Sequence, residues 1–197
     1  MIRAGMSIAR QYGVLMWLKI FLKFCREYLK VAVLDPAEVR LPRRPEPNVA
    51  YLTKEEVARV VHAIPVHTLS GNRLRALVEL LLGTGLRISE ALAFPREPFD
   101  TRQPMVAIVG KVGRRRNVHL TDRVFRWVQL YLDARRDQLP QLFVTTGDRP
   151  TKWARADISL FFRRLRSGAQ LTKPLTPHIL RHTSCTTLLH NGVDIRF

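Results

Sequence analysis

The feature that most constrains the fold is a proline cluster near the N-terminal end of the 197-residue chain. The segment LDPAEVRLPRRPEPNVA carries four prolines, which are Pro36, Pro42, Pro45 and Pro47. Proline fixes φ and has no N–H donor, so the segment favours extended chain over regular helix. We therefore predict a linker at residues 35–50, joining an N-terminal segment (1–34) to a larger domain (51–197).

The N-terminal segment has the periodicity of an amphipathic helix. Between residues 8 and 31, apolar side chains recur at spacings of three and four, as at Leu15, Leu18, Phe21 and Tyr28. Lysines interrupt the apolar run, which argues against a secretory leader or a membrane span. We expect this helix to pack on another helix, domain or subunit; a helix lying on a membrane surface is the alternative.

The larger domain has the pattern of a mainly helical fold with a small antiparallel β-sheet. Thr53 opens TKEEV, a capping box that predicts a helix to residue 64. Apolar periodicity and capping residues predict further helices at 74–83, 88–93, 121–135, 153–166 and 177–190. Alternation predicts a strand at 105–109 that returns at 116–120 as a hairpin, and a short strand at 142–146.

The charge of the chain points to a polyanionic partner. Lysine and arginine number 33 against 16 acidic residues, a formal net charge of +17. Such a surface favours nucleic acid, although a ribosomal protein or an anionic membrane surface would also explain it. Basic residues concentrate in the linker and in the predicted hairpin, which makes both candidate DNA contacts: Arg43, Arg44, Arg114, Arg115 and Arg116.

The two cysteines, Cys25 and Cys185, lie far apart in apolar patterns and form no CxxC pair. This spacing excludes a zinc knuckle or ribbon and favours buried, reduced thiols. We therefore expect a cytoplasmic, nucleoid-associated protein without a metal or other cofactor.

Two distant segments carry the candidate chemistry. Arg87 follows a glycine-marked helix break in LLLGTGLRISEAL, and His178, Arg181 and His182 stand at i, i+3 and i+4, on one helix face. The glutamate of a HExxH zinc site is missing, and Arg181 would repel a cation. Two arginines and a histidine suit a phosphate. The alternatives are a surface arginine at Arg87 and a core role for His182.

Three motifs resemble the tyrosine recombinases, also called the phage integrase family. They are TGLRISEAL, the hairpin sequence GKVGRRRNVHL and TPHILRHTSCTTLLHNGVDIR, in the order and spacing of that family from Tyr51 to Phe197. Residues 1–34 resemble the last part of the family's N-terminal helical core-binding domain. The resemblance implies a catalytic-domain fold that acts on double-stranded DNA without metal.

The resemblance also implies residue roles. Arg87 and Arg181 would clamp the nonbridging phosphate oxygens, His178 would assist proton transfer, and Lys111 would protonate the departing 5′ oxygen. A tyrosine would attack the phosphorus and form a 3′-phosphotyrosyl bond, so that no ATP is required.

The sequence departs from the family pattern at its end. In the family, a further helix, a histidine or tryptophan, and then the nucleophilic tyrosine follow the NGVDIR segment, whereas this sequence ends at Phe197. None of Tyr12, Tyr28, Tyr51 and Tyr131 matches the nucleophile's position. We therefore expect a DNA-binding chain that is cleavage-defective alone, with an exposed apolar patch at Leu188, Leu189 and Val193.

Two alternatives remain open. A tyrosine supplied in trans would complete a recombinase, or the chain is a non-enzymatic DNA-binding regulator. In either case the partner on DNA would be another copy of the chain or an intact recombinase.

Overall fold

The computed structural model describes residues 5–43, 50–109, 113 and 115–193. The chain divides into two compact units, Met1–Asn48 and Val49–Phe197. Arg44, Lys111 and Arg114 lie outside the described residues.

The first unit consists of helix α1 (Ile8–Glu27) followed by a short 3-10 helix (Pro36–Glu38). The Ser7 hydroxyl caps α1 by accepting a hydrogen bond from the Arg10 N–H. The linker is not wholly extended, because Pro36 occupies the first turn of the 3-10 helix, where a missing N–H costs nothing. Asp35 accepts from the Ala37 N–H and pairs with Arg26 at 2.7 Å, which ties this turn to α1.

Much of the apolar side of α1 is exposed. Trp17 is 72% exposed, and several other large apolar side chains of this helix are also accessible: Val14, Ile20, Phe21 and Phe24. Among the described residues, none of the helices is both long and apolar enough to cross a membrane.

The second unit is built around helix α3 (Leu69–Thr84). Its Leu77, Leu80 and Leu81 are fully buried, and it packs against α6 (Asp122–Asp133) and α8 (Pro177–His190). The other helices are α2 (Lys54–His62), α4 (Ile88–Leu92), α5 (Glu97–Asp100) and α7 (Arg155–Gly168). Thr53 and Glu56 form both hydrogen bonds of the expected capping box.

A two-stranded antiparallel sheet joins β1 (Met105–Val109) to β2 (Arg115–His119). Val106 pairs with Val118, and Ile108 pairs with Arg116. Opposite residues of an antiparallel pair share a face, so Arg116 lies on the face of the two buried valines, whereas Arg115 lies on the other. The mainly helical fold with one small hairpin confirms the expected fold class.

The predicted strand at 142–146 is wrong. Leu142, Phe143 and Val144 are buried, but Val144 forms only an isolated bridge with Lys152. Backbone groups of Leu142, Phe143 and Thr145 form isolated bonds with other backbone groups, and side chains serve Val144: its N–H donates to the Tyr131 hydroxyl (3.3 Å), and its carbonyl accepts from Arg73 Nη1 (2.7 Å). Buried backbone groups need partners, and these contacts supply them without a sheet.

Two helix boundaries differ from the prediction by four or five residues, the others by no more than two, and one helix was not predicted. Helix α3 begins at Leu69, five residues before the predicted start at 74, because the Thr68 hydroxyl caps it by accepting from the Gly71 N–H. Helix α1 ends at Glu27 rather than at 31. The short α5 was missed, and Pro98 stands in its first turn, where proline is compatible with a helix.

Candidate phosphate-binding site

The end of α3 brings the two arginine-bearing segments together. Gly85 ends this helix in the left-handed region, with φ of +62°. A side chain there would lie 3.4 Å from Ser184 Oγ, so the turn packs closely on α8. Arg181 of α8 donates from Nη1 to the Gly85 carbonyl at 2.6 Å. The glycine turn and the arginine of the HILRH segment are therefore in direct contact.

Arg87 lies two residues after this turn, at the start of α4. Its backbone N–H donates to Glu90 Oε2 (2.8 Å), and its Nη1 donates to Glu90 Oε1 (3.1 Å). A glutamate three residues into a helix commonly satisfies the free N–H at the start of that helix. The same carboxylate therefore caps α4 and holds the Arg87 guanidinium, which remains 48% exposed.

Glu90 also binds an arginine from the hairpin. Arg116 donates from Nη1 to Oε1 (3.2 Å) and from Nη2 to Oε2 (2.7 Å), a two-point guanidinium–carboxylate pair. Arg181 Nη1 lies 4.0 Å from Oε2. One carboxylate with a side chain only 10% exposed thus gathers three arginines from α4, β2 and α8.

The electrostatics of this cluster favour an added anion. Burial raises the pKa of Glu90, but hydrogen bonds from Arg116 and the Arg87 backbone outweigh it, and the pKa lies below its ordinary value. The pKa of Arg181 is lowered, first by desolvation and then by the charge of Arg87. Three guanidinium groups and one carboxylate leave an excess of positive charge that a phosphate would offset.

The two histidines stand beside Arg181 on α8, which begins at a Thr176 cap followed by Pro177. The rings of His178 and His182 meet edge to face, with centroids 4.3 Å apart. Desolvation lowers the pKa of His182, with smaller effects from His178 and Arg181, and this favours the neutral imidazole. No cluster of three or more potential metal ligands occurs among the residues that the structure describes.

The structure gathers part of the predicted site. Arg87 and Arg181 converge on Glu90, and His178 lies one helical turn from Arg181 on α8. Arg43 and Arg115 are exposed. The predicted catalytic Lys111 is among the residues that the structure does not describe, as are Arg44 and Arg114.

Sequence reasoning missed the role of Glu90 and the setting of Arg116. The position of Glu90, three residues after Arg87 at a helix start, pointed to a capping contact. Arg116 was grouped with the DNA contacts of the hairpin. The structure places it against Glu90, while its contact with DNA stays a prediction.

Comparison with known proteins shows the family of the chain. The model of the phage integrase family matches residues 50–197. Tyrosine recombinase XerC of Chlamydia pneumoniae is 31% identical over 185 residues, which are 91% of this chain and 58% of the relative. Tyrosine recombinase XerD of Staphylococcus saprophyticus is 31% identical over 174 residues, 85% of this chain and 58% of the relative. The chain thus spans 58% of the length of these relatives.

Solved structures agree with this grouping. The XerA recombinase superposes with a TM-score of 0.66 at 30% identity, over 98% of this chain and 66% of the other. The Tn1549 transposon integrase in complex with transposon right end DNA gives a TM-score of 0.76 at 21% identity, over 96% of this chain and 69% of the other, a likeness of fold. Because the family model matches most of the chain and the three motifs lie within that match, the chain belongs to the phage integrase family of tyrosine recombinases.

Proposed function

We propose that this chain binds double-stranded DNA as part of a site-specific tyrosine recombinase, with Arg87 and Arg181 on the phosphate to be cleaved. The observation that carries the proposal is the convergence of three arginines on Glu90. The names of the relatives, tyrosine recombinases XerC and XerD, support the same reaction class.

The two arginines suit a phosphate that gains charge during the reaction. Each contacts the protein through Nη1, at Glu90 or at Gly85. A guanidinium has five N–H donors, so both retain donors for nonbridging phosphate oxygens. Fixed positive charge beside a five-coordinate phosphorus stabilises the transition state without a metal ion.

In this proposal, His178 and Lys111 carry out the proton transfers. A tyrosine oxygen attacks phosphorus, the bond to the 5′ oxygen breaks, and a proton from Lys111 neutralises that leaving oxygen. His178, one turn from Arg181 on α8, assists in orienting and deprotonating the attacking group. The 3′-phosphotyrosyl product conserves the bond energy for rejoining.

The attacking tyrosine is, in this proposal, not among the 197 residues. Tyr131 is fully buried, and its hydroxyl accepts a hydrogen bond from the Val144 N–H. The remaining tyrosines do not match the nucleophile's place in the family motif. We therefore expect a polypeptide of these 197 residues to bind DNA without cleaving it.

Affinity for a labelled DNA duplex at fixed salt tests the phosphate contacts. We expect Arg87→Met and Arg181→Met each to weaken binding about tenfold. Each should also reduce the slope of the logarithm of the association constant against the logarithm of the salt concentration by about one, the value for one phosphate contact. Arg126→Met, an exposed arginine of α6, is the matched control for the loss of one charge. Equal effects from all three variants would mean that Arg87 and Arg181 contribute only bulk charge.

A nicked suicide duplex tests the missing nucleophile. The 197-residue chain should form no covalent adduct, whereas an adduct on any of its four tyrosines would refute that part of the proposal. Mass spectrometry of the protein after nuclease digestion would identify the attached residue.

We also propose that the chain works beside further recombinase subunits on DNA. A solved relative, a λ integrase fragment, is a dimer bound to a core site, with a TM-score of 0.71 at 18% identity. Sedimentation of the chain with a labelled duplex should therefore show complexes that hold more than one copy. A strictly one-to-one complex at saturating protein would oppose this.

A further inference from the structure

We propose that Arg116 is a positioning residue, which keeps Arg87 available to DNA by occupying Glu90. This inference rests on the proposed function of Arg87 as a phosphate ligand. It assigns Arg116 a role distinct from that of its neighbour Arg115, although both stand in the same basic run of the hairpin.

The two neighbours differ in where the strand places them. Arg115 is exposed, on the face of β2 opposite to the buried valines. Arg116 lies on the face that carries the valines. Its guanidinium donates two hydrogen bonds to the Glu90 carboxylate, at 2.7 and 3.2 Å. A side chain held at two points has a fixed position, whereas an exposed arginine is free to follow the DNA backbone.

Glu90 would otherwise compete with DNA for Arg87. Arg87 reaches this carboxylate through a single side-chain hydrogen bond of 3.1 Å, because Arg116 engages both carboxylate oxygens. Without Arg116, the guanidinium of Arg87 could rotate and donate two hydrogen bonds to both oxygens of Glu90. An incoming phosphate would then meet a carboxylate that has lost its two-point partner and is balanced by Arg87 and the more distant Arg181, and the two anions would repel each other.

The ion pair of Arg116 and Glu90 also joins two elements of the candidate site. Arg116 belongs to β2 and Glu90 to α4, and an isolated two-stranded hairpin is only marginally stable. The contact therefore fixes the hairpin against the helix that presents Arg87. A test must separate this structural effect from the effect on the charge of Glu90.

A double-mutant cycle that measures DNA affinity separates the structural effect of Arg116 from its effect on the charge of Glu90. We expect Arg87→Met to weaken binding of a labelled random-sequence duplex about tenfold in the wild-type chain and in the Arg115→Met chain, but less than about threefold in the Arg116→Met chain. Arg115→Met is the matched control, because it removes the same charge from the adjacent position.

Neutralising Glu90 should restore the contribution of Arg87. In the Glu90→Gln chain, with or without Arg116→Met, we expect Arg87→Met again to cost about tenfold. This comparison remains decisive if Arg116→Met alone fails to fold, since the double variant has no unpaired carboxylate. Thermal unfolding of each variant verifies that the binding data refer to folded protein.

The outcomes separate the two proposals. If Arg87→Met has no effect in the wild-type chain, Arg87 is not a phosphate ligand and the proposed function fails. If its cost is the same in the Arg115→Met and Arg116→Met chains, the proposed function stands and the positioning role of Arg116 is wrong. A third result is that Arg87→Met still weakens DNA binding less than about threefold in the Arg116→Met/Glu90→Gln chain. That result would also overturn the positioning role, because the charge of Glu90 could not then be the cause.

Discussion

At the scale of single residues, contacts between distant segments set the roles of the charged groups. Glu90 and Glu79 illustrate this, because each is a largely buried carboxylate that pairs with at least one arginine from another element. Glu79 of α3 accepts from Arg75 Nε (2.8 Å) and from Arg123 Nε (2.7 Å) of α6. Burial makes such groups depend on their partners.

Glu79→Gln should destabilise the second unit. The substitution leaves Arg75, which lies over the Trp127 ring at 4.0 Å, largely buried without its carboxylate. Breaking one side of a buried ion pair costs about 3 kcal/mol, and urea unfolding would measure the loss. Arg123→Met is the control: its side chain is mostly exposed, so we expect a loss below about 1 kcal/mol. Equal losses for the two variants would contradict the argument from burial.

Gly85→Ala should also be destabilising, for a backbone reason. The residue has φ of +62°, which costs an L-residue about 1–2 kcal/mol. Its Cβ would in addition approach Ser184 Oγ at 3.4 Å. Gly147→Ala is the matched control, since a Cβ there meets nothing within 4 Å. Thermal unfolding should show a lower midpoint for Gly85→Ala only; an unchanged midpoint would mean that the turn relaxes freely.

At the scale of elements, α4, β2 and α8 meet through side-chain charge at Glu90. A carboxylate whose pKa is lowered on folding stabilises the native state above its unfolded-state pKa. That stability is lost as pH falls through the lower pKa of the folded state. For Glu90 the ordinary value is 4.5, and the folded value lies below it.

Acidic pH should therefore lower the stability of the folded chain, in part through protonation of Glu90. We expect the free energy of unfolding to fall as pH drops below the ordinary glutamate value of 4.5, and the slope to be smaller in Glu90→Gln. Urea unfolding between neutral and acidic pH measures both slopes. Glu97→Gln, which changes an exposed carboxylate on α5, is the control and should leave the slope unchanged. Identical slopes for Glu90→Gln and the wild type would show that this carboxylate is not stabilised by folding.

At the scale of the whole molecule, the excess of basic residues suits the chain to the proposed interaction with DNA. The net charge of +17 attracts the backbone of any duplex, and binding releases counterions from it. The exposed apolar residues on α1 and the exposed Leu188, Leu189 and Val193 give the same chain surfaces suited to protein contacts. Self-association through these residues stays a prediction.

DNA affinity should be strongly salt-dependent. We expect the association constant for a random duplex to fall about 10³-fold between about 50 and 200 mM salt, as for a protein that makes several phosphate contacts. Fluorescence anisotropy across a salt series gives the slope directly. A slope near zero would mean that apolar contacts, rather than the basic surface, hold the duplex.

The sequence by itself determined most of the helices, the pairing of the two strands and the family. Caps such as Thr53 and Thr176 and the 3.6-residue apolar period are local properties, so they can be read without the fold. The motifs around Arg87 and Arg181 likewise predicted a pair of arginines for an anion, and their binding of a phosphate stays a prediction. Only the tertiary structure decided that Glu90 joins these arginines to Arg116, and that Val144 bonds to the side chains of Arg73 and Tyr131 instead of lying in a regular strand. Both depend on contacts between residues far apart in the chain, whose pairing local patterns do not encode.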